Sequence, residues 1–384
     1  MTYDFIIVGS GSVGAAASFY GTKAGLKVLA IDSGCPPHDI GSHHGSTRII
    51  RHAYGEGLAY VPLALRAQAL WEELARESQT DIFHRAGVLN LGPAGTTFIT
   101  NAAAAVHKHA LPGCQVLSAE EVRAKWPGVA APNGYIGVFE PQAGYLLSEN
   151  AIEAFVRLAG KAGCTQLFGL PVTEIKHTTA KGSGRSSVEV VTADGQRHQG
   201  RKLLISAGTW VKKLLPDLPV TPVRKIFSWH EAEGAYYEDE GFPAFVVQLT
   251  DMTQYYGFPA TAANGLKVGR HDSGQPIETH QQRLPFGAFN EDSTEVSGFL
   301  RCMLPGVGVP LRGAACTYDM SPDEDFIVDT LPENENVMFI SGLSGHGFKF
   351  ASALGEAAAS FATGNEFDVD LSPFRMSRFN VETP

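Results

Sequence analysis

An α/β chain of two interleaved domains is predicted by three observations. A buried-type strand, Asp4-Phe5-Ile6-Ile7-Val8, runs straight into Gly9-Ser10-Gly11-Ser12-Val13-Gly14 and an Ala-rich helix. A second strand, Lys27 to Ile31, ends on Asp32. Far along the chain, Val337 to Ser341, a glycine-rich turn over Gly342 to Gly347 and a helix from Phe348 to Ala362 repeat the strand–turn–helix pattern. Strand, turn and helix in alternation imply a sheet layered with helices, so the chain must leave the first unit and return to it. The expected division assigns 1–82, 146–220 and 311–384 to a Rossmann-like nucleotide-binding domain and 83–145 with 221–310 to a mixed-sheet substrate domain.

The N-terminal glycines carry the nucleotide reading. Gly9 permits the tight turn, Gly11 lets backbone approach a pyrophosphate, and Gly14 lets the helix pack on the strand, so the helix N-terminus can receive phosphates. Asp32 stands where a carboxylate accepts hydrogen bonds from a ribose diol. Without a ligand, the same residues read only as a tight strand–helix turn.

The elements between follow from pattern. Cys35 to Gly57 is an irregular Gly/His/Pro-rich stretch, of the length that functional loops reach. An amphipathic helix is expected from Ala59 to about Ser78, with Leu63, Leu70 and Leu74 on one side. Short strands and helices fill Phe83 to Tyr145, and Ser118-Ala119-Glu120-Glu121 is a capping box. Ser148 to Ala162 reads as a helix and Val172 to Val191 as strands, followed by a hairpin turn at Asp194-Gly195. Lys202 to Ser206 is a strand ending in the small-residue turn Ala207-Gly208-Thr209-Trp210. Ala244 to Leu249 and Gly265 to Gly269 suggest a separate sheet.

Composition narrows the class. In 384 residues, 44% are hydrophobic and 18% charged, the balance of a globular protein. A net charge of -10, with no long Lys/Arg block, argues against a nucleic-acid binder. The five cysteines, Cys35, Cys114, Cys164, Cys302 and Cys316, are odd in number and widely spaced, which fits a reducing compartment and a cytoplasmic location. Residues 5–20 are apolar but lack a basic leader, and no stretch reaches membrane-spanning length. His43, His44, His52, His271 and His346 lack a metal-ligand spacing, so no metal is expected.

Four further segments sharpen the reading: Gly41-Ser42-His43-His44-Gly45-Ser46-Thr47-Arg48-Ile49-Ile50-Arg51, Lys267 in Leu266-Lys267-Val268-Gly269, Cys316-Thr317-Tyr318, and Ser344-Gly345-His346-Gly347-Phe348-Lys349. In order and spacing, over nearly the whole chain, they resemble the monomeric sarcosine oxidase family. The resemblance implies one FAD per chain, bound covalently through Cys316. It also implies oxidation of a secondary N-methyl amino acid, with N-methyl-L-tryptophan expected as substrate, O2 as acceptor and a monomer as the working unit. Sarcosine or pipecolate oxidation stays open as an alternative, as does a flavin-binding protein that is not an oxidase.

By the same resemblance Arg51 and Lys349 hold the substrate carboxylate, as a planar guanidinium fork and a point charge can do together. Lys267 activates oxygen near the flavin, where a fixed cation stabilises charge appearing during reaction. Thr47 and Arg48 lie near the flavin ring, Val172 contacts the cofactor, and Tyr256 and Tyr318 line the substrate cavity. Gly342, Gly345 and Gly347 offer backbone donors at a helix start to the flavin. Taken singly, Cys316 reads as a buried small hydrophobe, Arg51 and Lys349 as salt-bridge partners of Glu56 or Asp325, and the tyrosines as core. A nicotinamide dehydrogenase would account for the first thirty-two residues but leave Cys316 and the terminal Gly/His/Lys segment without a purpose.

Overall fold

The computed structural model describes residues 2–179, 186–278 and 282–380. Residues 180–185 of the expected Val172–Val191 strand run, like Met1 and residues 381–384, lie outside the described residues.

The first strand, Thr2–Val8, is central to an eight-stranded sheet. It pairs in parallel with Val28–Asp32 on one side and Arg197–Ile205 on the other. Its unbroken apolar run has a direct cause, because both faces are covered. Phe5 and Ile7 point into a core shared with four helices, and Ile6 and Val8 into a second core with Leu29, Ile31, Val188 and Ile205. The helices are Ser12–Lys23, Tyr60–Ser78, Ser148–Lys161 and Ala351–Thr363. The first and last pack most closely: a Cβ on Gly355 would sit 2.4 Å from Ala16 Cβ, a separation only glycine allows.

Arg197–Ile205 joins the two ends of the chain. Its first half pairs with Ser186–Thr192 and its last residues, Leu203 to Ile205, pair in parallel with Val337 to Phe339. The predicted strand near the C-terminus, observed as Asn334–Ser341, therefore lies in the same sheet as the first. The helix expected from Phe348 opens instead as a 3-10 turn, Phe348–Phe350, and becomes α-helical at Ala351–Thr363. The capping box at Ser118 is present, with both reciprocal bonds made.

A nine-stranded sheet of largely antiparallel strands stands opposite, built from 88–140 and 221–320. Its strand Leu266–Arg270 carries Lys267, and Pro310–Met320 carries Cys316. The expected boundary at 310/311 meets the start of Pro310–Met320, whose ladder with Thr221–His230 places it in this second sheet. A three-stranded sheet, Thr47–Ile50, Gly144–Leu147 and Phe83–His84, lies at the passage from one body to the other. No helix among the described residues is long and apolar enough to cross a membrane.

Candidate active site

The C-terminal ends of Thr2–Val8, Val28–Asp32, Arg197–Ile205 and Asn334–Ser341 open onto one cavity of about 310 Å3. Ligands of parallel α/β sheets bind at such strand ends. Gly9 and Gly11, Asp32, Val172, Arg48 and Tyr318 form part of its wall, with Gly345 and Gly347 at the other end. A smaller cavity, about 70 Å3, is lined by Arg51, Tyr256, His271, Cys316, His346 and Lys349, among others. Arg48, Tyr318, Gly345 and Phe348 belong to both walls, so the two spaces adjoin.

The larger cavity is shaped by backbone. Gly9 has φ +91°, and a Cβ there would lie 2.4 Å from Ser206 O; a Cβ on Gly14 would lie 1.8 Å from Gly9 O. Those two glycines are required by the turn itself. Gly11 differs, because its nearest neighbour would be His43 Nδ1 at 3.5 Å, ordinary contact, and the residue faces the cavity. Asp32 is fixed by Ser10 N–H at 2.6 Å, Gly34 N–H at 2.8 Å and His38 Nε2 at 3.3 Å.

These residues fit FAD. Two buried polar atoms in the cavity wall, Thr209 Oγ1 and Asp319 Oδ1, have no protein partner, and buried polar groups ordinarily have one. Asp319 Oδ2 is taken by Ser341 Oγ–H at 2.6 Å and Gly342 N–H at 2.9 Å. Burial pushes the Asp319 carboxyl up to about 6, against the pull of those two bonds. Sequence reasoning missed Asp319 as a site residue and marked Thr209 only as part of the small-residue turn 207–210, which suits close packing against a cofactor; the orphaned atoms give the two side chains a role.

The segment 41–48 is held by Arg48 and by Glu149, which sequence reasoning missed. Glu149 accepts from Gly45 N–H at 2.7 Å and Ser46 N–H at 3.1 Å, fixing a bend where Ser46 has φ +74°. Arg48 donates to the carbonyls of Ser42, His44 and Thr47 at 2.6–2.8 Å, and His44 Nε2 donates to Ala315 O at 2.9 Å. Burial, then the charge of Arg48, lowers His44 to about 4. His43 Nε2 accepts from His38 N–H at 3.2 Å, so both imidazoles brace the loop.

In the smaller cavity the cations already have partners. Arg51 Nη2 donates to both carboxylate oxygens of Glu56, at 2.5 and 2.8 Å, and its guanidinium lies 4.6 Å from the Tyr54 ring centroid. Burial works to raise the Glu56 carboxyl, but Arg51, with His346, Lys349 and His271 behind it, holds it down at about 2. Lys349 Nζ donates to His346 O at 2.7 Å and Tyr54 Oη at 3.2 Å. Burial, with Arg51 nearby, lowers the Lys349 amine to about 7. His346 Nε2 faces Glu324 O at 3.1 Å and must carry the proton, so Nδ1 accepts from Tyr54 Oη–H at 2.7 Å.

Cys316 is buried in the wall of this smaller cavity. Burial pushes its thiol up, opposed by Arg48, Lys267, Lys225 and Arg283. Lys267 stands behind the wall: its ammonium is 4.4 Å and 4.8 Å from the ring centroids of Phe227 and Phe258, which line the cavity. Gly45 O, Thr47 O and Thr47 Oγ1 accept from it at 2.5–3.2 Å. Burial, and then Arg48, lowers its amine well below the usual value. Gly14, Thr47, Lys267 and Gly342 thus act from behind, while the other expected site residues reach a cavity wall. No group of three or more metal-ligating side chains comes together among the described residues.

Comparison with known proteins matches the geometry. Two curated N-methyl-L-tryptophan oxidases, from Yersinia pestis (strain Pestoides F) and Yersinia pseudotuberculosis serotype O:1b (strain IP 31758), are each 56% identical to the chain over 379 residues, covering 99% of it and 100% of the relative. Among solved structures the fold is shared with NikD, an unusual amino acid oxidase essential for nikkomycin biosynthesis (TM-score 0.81, 22% identity, 97% of each chain). It is shared too with the L-proline dehydrogenase of P. horikoshii (TM-score 0.83, 19% identity, 99% of this chain and 98% of that one). The FAD dependent oxidoreductase family matches residues 4–361, and with a nucleotide cavity formed from both ends of the polypeptide, this chain belongs to that family.

Proposed function

We propose that the protein oxidises N-methyl-L-tryptophan, with O2 and water consumed and L-tryptophan, formaldehyde and hydrogen peroxide released. One observation carries this reading: a nucleotide cavity shares its wall with a smaller cavity holding two buried cations, Arg51 and Lys349. The names of relatives at 56% identity support the choice of substrate. When bound, FAD would supply the acceptor for a hydride equivalent from the N-methyl carbon and the route by which two electrons reach O2.

The chain's residues bind and orient. Gly11 and the start of the Ser12–Lys23 helix receive the pyrophosphate, Asp32 the ribose, and Thr209 and Asp319 further polar groups of the cofactor. Cys316 is assigned the covalent bond to the flavin. Arg51 and Lys349 take the substrate carboxylate, which requires Arg51 to exchange Glu56 for the ligand. A cationic, buried cavity disfavours a protonated amine, so no side chain is assigned as an obligatory base. Tyr256 and Tyr318 wall the space beside the amine, and Lys267 acts on oxygen from behind Phe227 and Phe258. Gly345 and Gly347 would offer backbone donors to the flavin from the cavity wall, whereas Gly342 N–H is already given to Asp319 Oδ2.

All five cysteines are free, in keeping with a reducing compartment, and we assign a cytoplasmic location; the monomer rests on the family resemblance alone. The two-unit division at 82, 145 and 220 completes the reading, with the last boundary moved past Met320 because Pro310–Met320 pairs within the second sheet.

The deciding experiment has two arms. Peroxide release is measured with N-methyl-L-tryptophan, sarcosine and pipecolate; turnover of either alternative at equal or higher kcat/KM overturns the substrate, and no peroxide from any of them overturns the oxidase. Acid-precipitated, washed protein is then examined for yellow colour, which wild type is expected to retain and Cys316→Ser to lose.

A further inference from the structure

Arg51 does not sit on a strand. The Thr47–Ile50 ladder ends one residue before it, and the bend that follows carries Arg51, Tyr54 and Glu56 toward the smaller cavity. A bend outside a ladder must satisfy its backbone polar groups some other way. Here side chains from the opposite body do it. Glu140, at the end of strand Tyr135–Glu140, accepts from His52 N–H and Ala53 N–H, each at 2.9 Å, and pairs with His52 Nδ1. Asn90 Nδ2 donates to Ala53 O at 3.2 Å and Asn101 Nδ2 to Gly55 O at 2.9 Å. The Phe98 ring closes the bend, 2.1 Å from where a Gly55 Cβ would be.

Glu140 is 1% exposed and lines neither cavity. Burial would raise its carboxyl; its bonds to His52 and to the two backbone N–H groups hold it low, so it remains an anion. A buried carboxylate accepting three bonds at one bend fixes where the next residues point. His52 Nε2 is buried and unpartnered, so the imidazole has no second anchor.

We propose that Glu140, helped by Asn90 and Asn101, is the positioning residue that sets the Arg51–Glu56 bend and thereby governs affinity for the substrate carboxylate without touching it. The proposal rests on the carboxylate reading of Arg51 given above. An amide at 140 keeps the shape but turns an N–H2 toward donors, and a small displacement of a binding group costs up to about a hundredfold.

The test uses holoenzyme variants Glu140→Gln, Asn101→Ala and Arg51→Ala. Affinity is read from the perturbation of the flavin spectrum by indole-3-acetate, which has a carboxylate, and by N-methyltryptamine, which has none. Glu140→Gln is expected to weaken indole-3-acetate about tenfold, and Asn101→Ala about threefold. N-methyltryptamine affinity and kcat at saturation stay within about twofold of wild type. Parallel loss for both probes, or no loss for either, overturns the positioning role; should Glu140→Gln fail to fold, Asn101→Ala decides by the same criterion. Unchanged indole-3-acetate affinity in Arg51→Ala would instead sink the carboxylate reading itself.

Discussion

The two ends of the site are built on opposite principles. Around Gly9 to Gly14 the wall is backbone, shaped by what cannot fit: two glycines have no room for a Cβ and a third faces the cavity. Around Arg51 the wall is charge, and that charge is matched inside the protein, with Glu56 on Arg51 and carbonyl and hydroxyl oxygens on Lys349. A ligand enters the first end without displacing a protein partner. At the second, on the proposed reading, a carboxylate would bind by exchange with Glu56, so affinity there would be a difference between two ion pairs.

The largest effect should come from breaking the backbone end. Gly14→Ala pushes a methyl to within 1.8 Å of Gly9 O, so a loss of about 3 kcal/mol or more is expected. Gly11→Ala meets nothing closer than 3.5 Å, and its thermal stability without cofactor should stay within about 1 kcal/mol of wild type. Flavin absorbance per chain should nonetheless fall sharply in Gly11→Ala. Thermal melts of cofactor-free protein beside flavin content separate the two; retained flavin in Gly11→Ala would remove that residue from the cofactor wall.

The same contrast explains what was legible in the sequence. Gly9, Gly14 and Asp32 act through local geometry, and local geometry leaves a spaced motif. The Ser118 capping box and the two-sided burial of Phe5 to Val8 were readable for the same reason. Arg51 and Lys349 were recognisable through resemblance, and Glu56 only as a possible salt-bridge partner. That Glu56 takes both its oxygens to Arg51, and that Lys267 stands behind Phe227, depends on packing between segments far apart in sequence. Asp319 is the sharpest case. Three residues beyond Cys316 it looks like any strand aspartate, and only the absence of a protein donor for Oδ1 gives it a role.

Second in size is the charge end. Arg51→Met leaves a half-buried Glu56 without its partner, and a loss of about 2–4 kcal/mol in stability is expected from breaking such a pair. Glu56→Gln in the same chain should recover much of it, which urea titration of the double variant would reveal. Equal stability of Arg51→Met and wild type would show the pair to be solvated.

Asp319 sharpens the comparison from the cofactor end, because it is a charge placed within the backbone wall. Its folded carboxyl titrates near 6, above the usual 3.8. The folded chain therefore keeps a proton that the unfolded chain has released, and cofactor-free protein loses stability as pH rises from about 4 to 6, then levels. Asp319→Asn should be more stable than wild type by about 2 kcal/mol at pH 7.5, with the gap closing below pH 4. A gap independent of pH would mean that the carboxylate is not desolvated.

The smallest effect distinguishes the two cations of the charge end. Lys349 titrates at about 7, while Glu56, His346 and His271, the titratable groups around it, do so at about 2, 3 and 4. Between pH 6.5 and 8.5 only the lysine among these changes charge, losing its proton as pH rises. Indole-3-acetate, which has no amine to titrate, should therefore bind about fivefold more weakly at pH 8.5 than at 6.5, the modest size reflecting a guanidinium that stays charged throughout. Lys349→Met should flatten the profile at the weaker value, whereas Arg51→Met should weaken binding and move the midpoint to higher pH, because the guanidinium that helps lower the amine is gone while Glu56 stays beside it. A flat profile in wild type would place the ammonium's proton beyond this range and leave Arg51 as the sole determinant of carboxylate affinity.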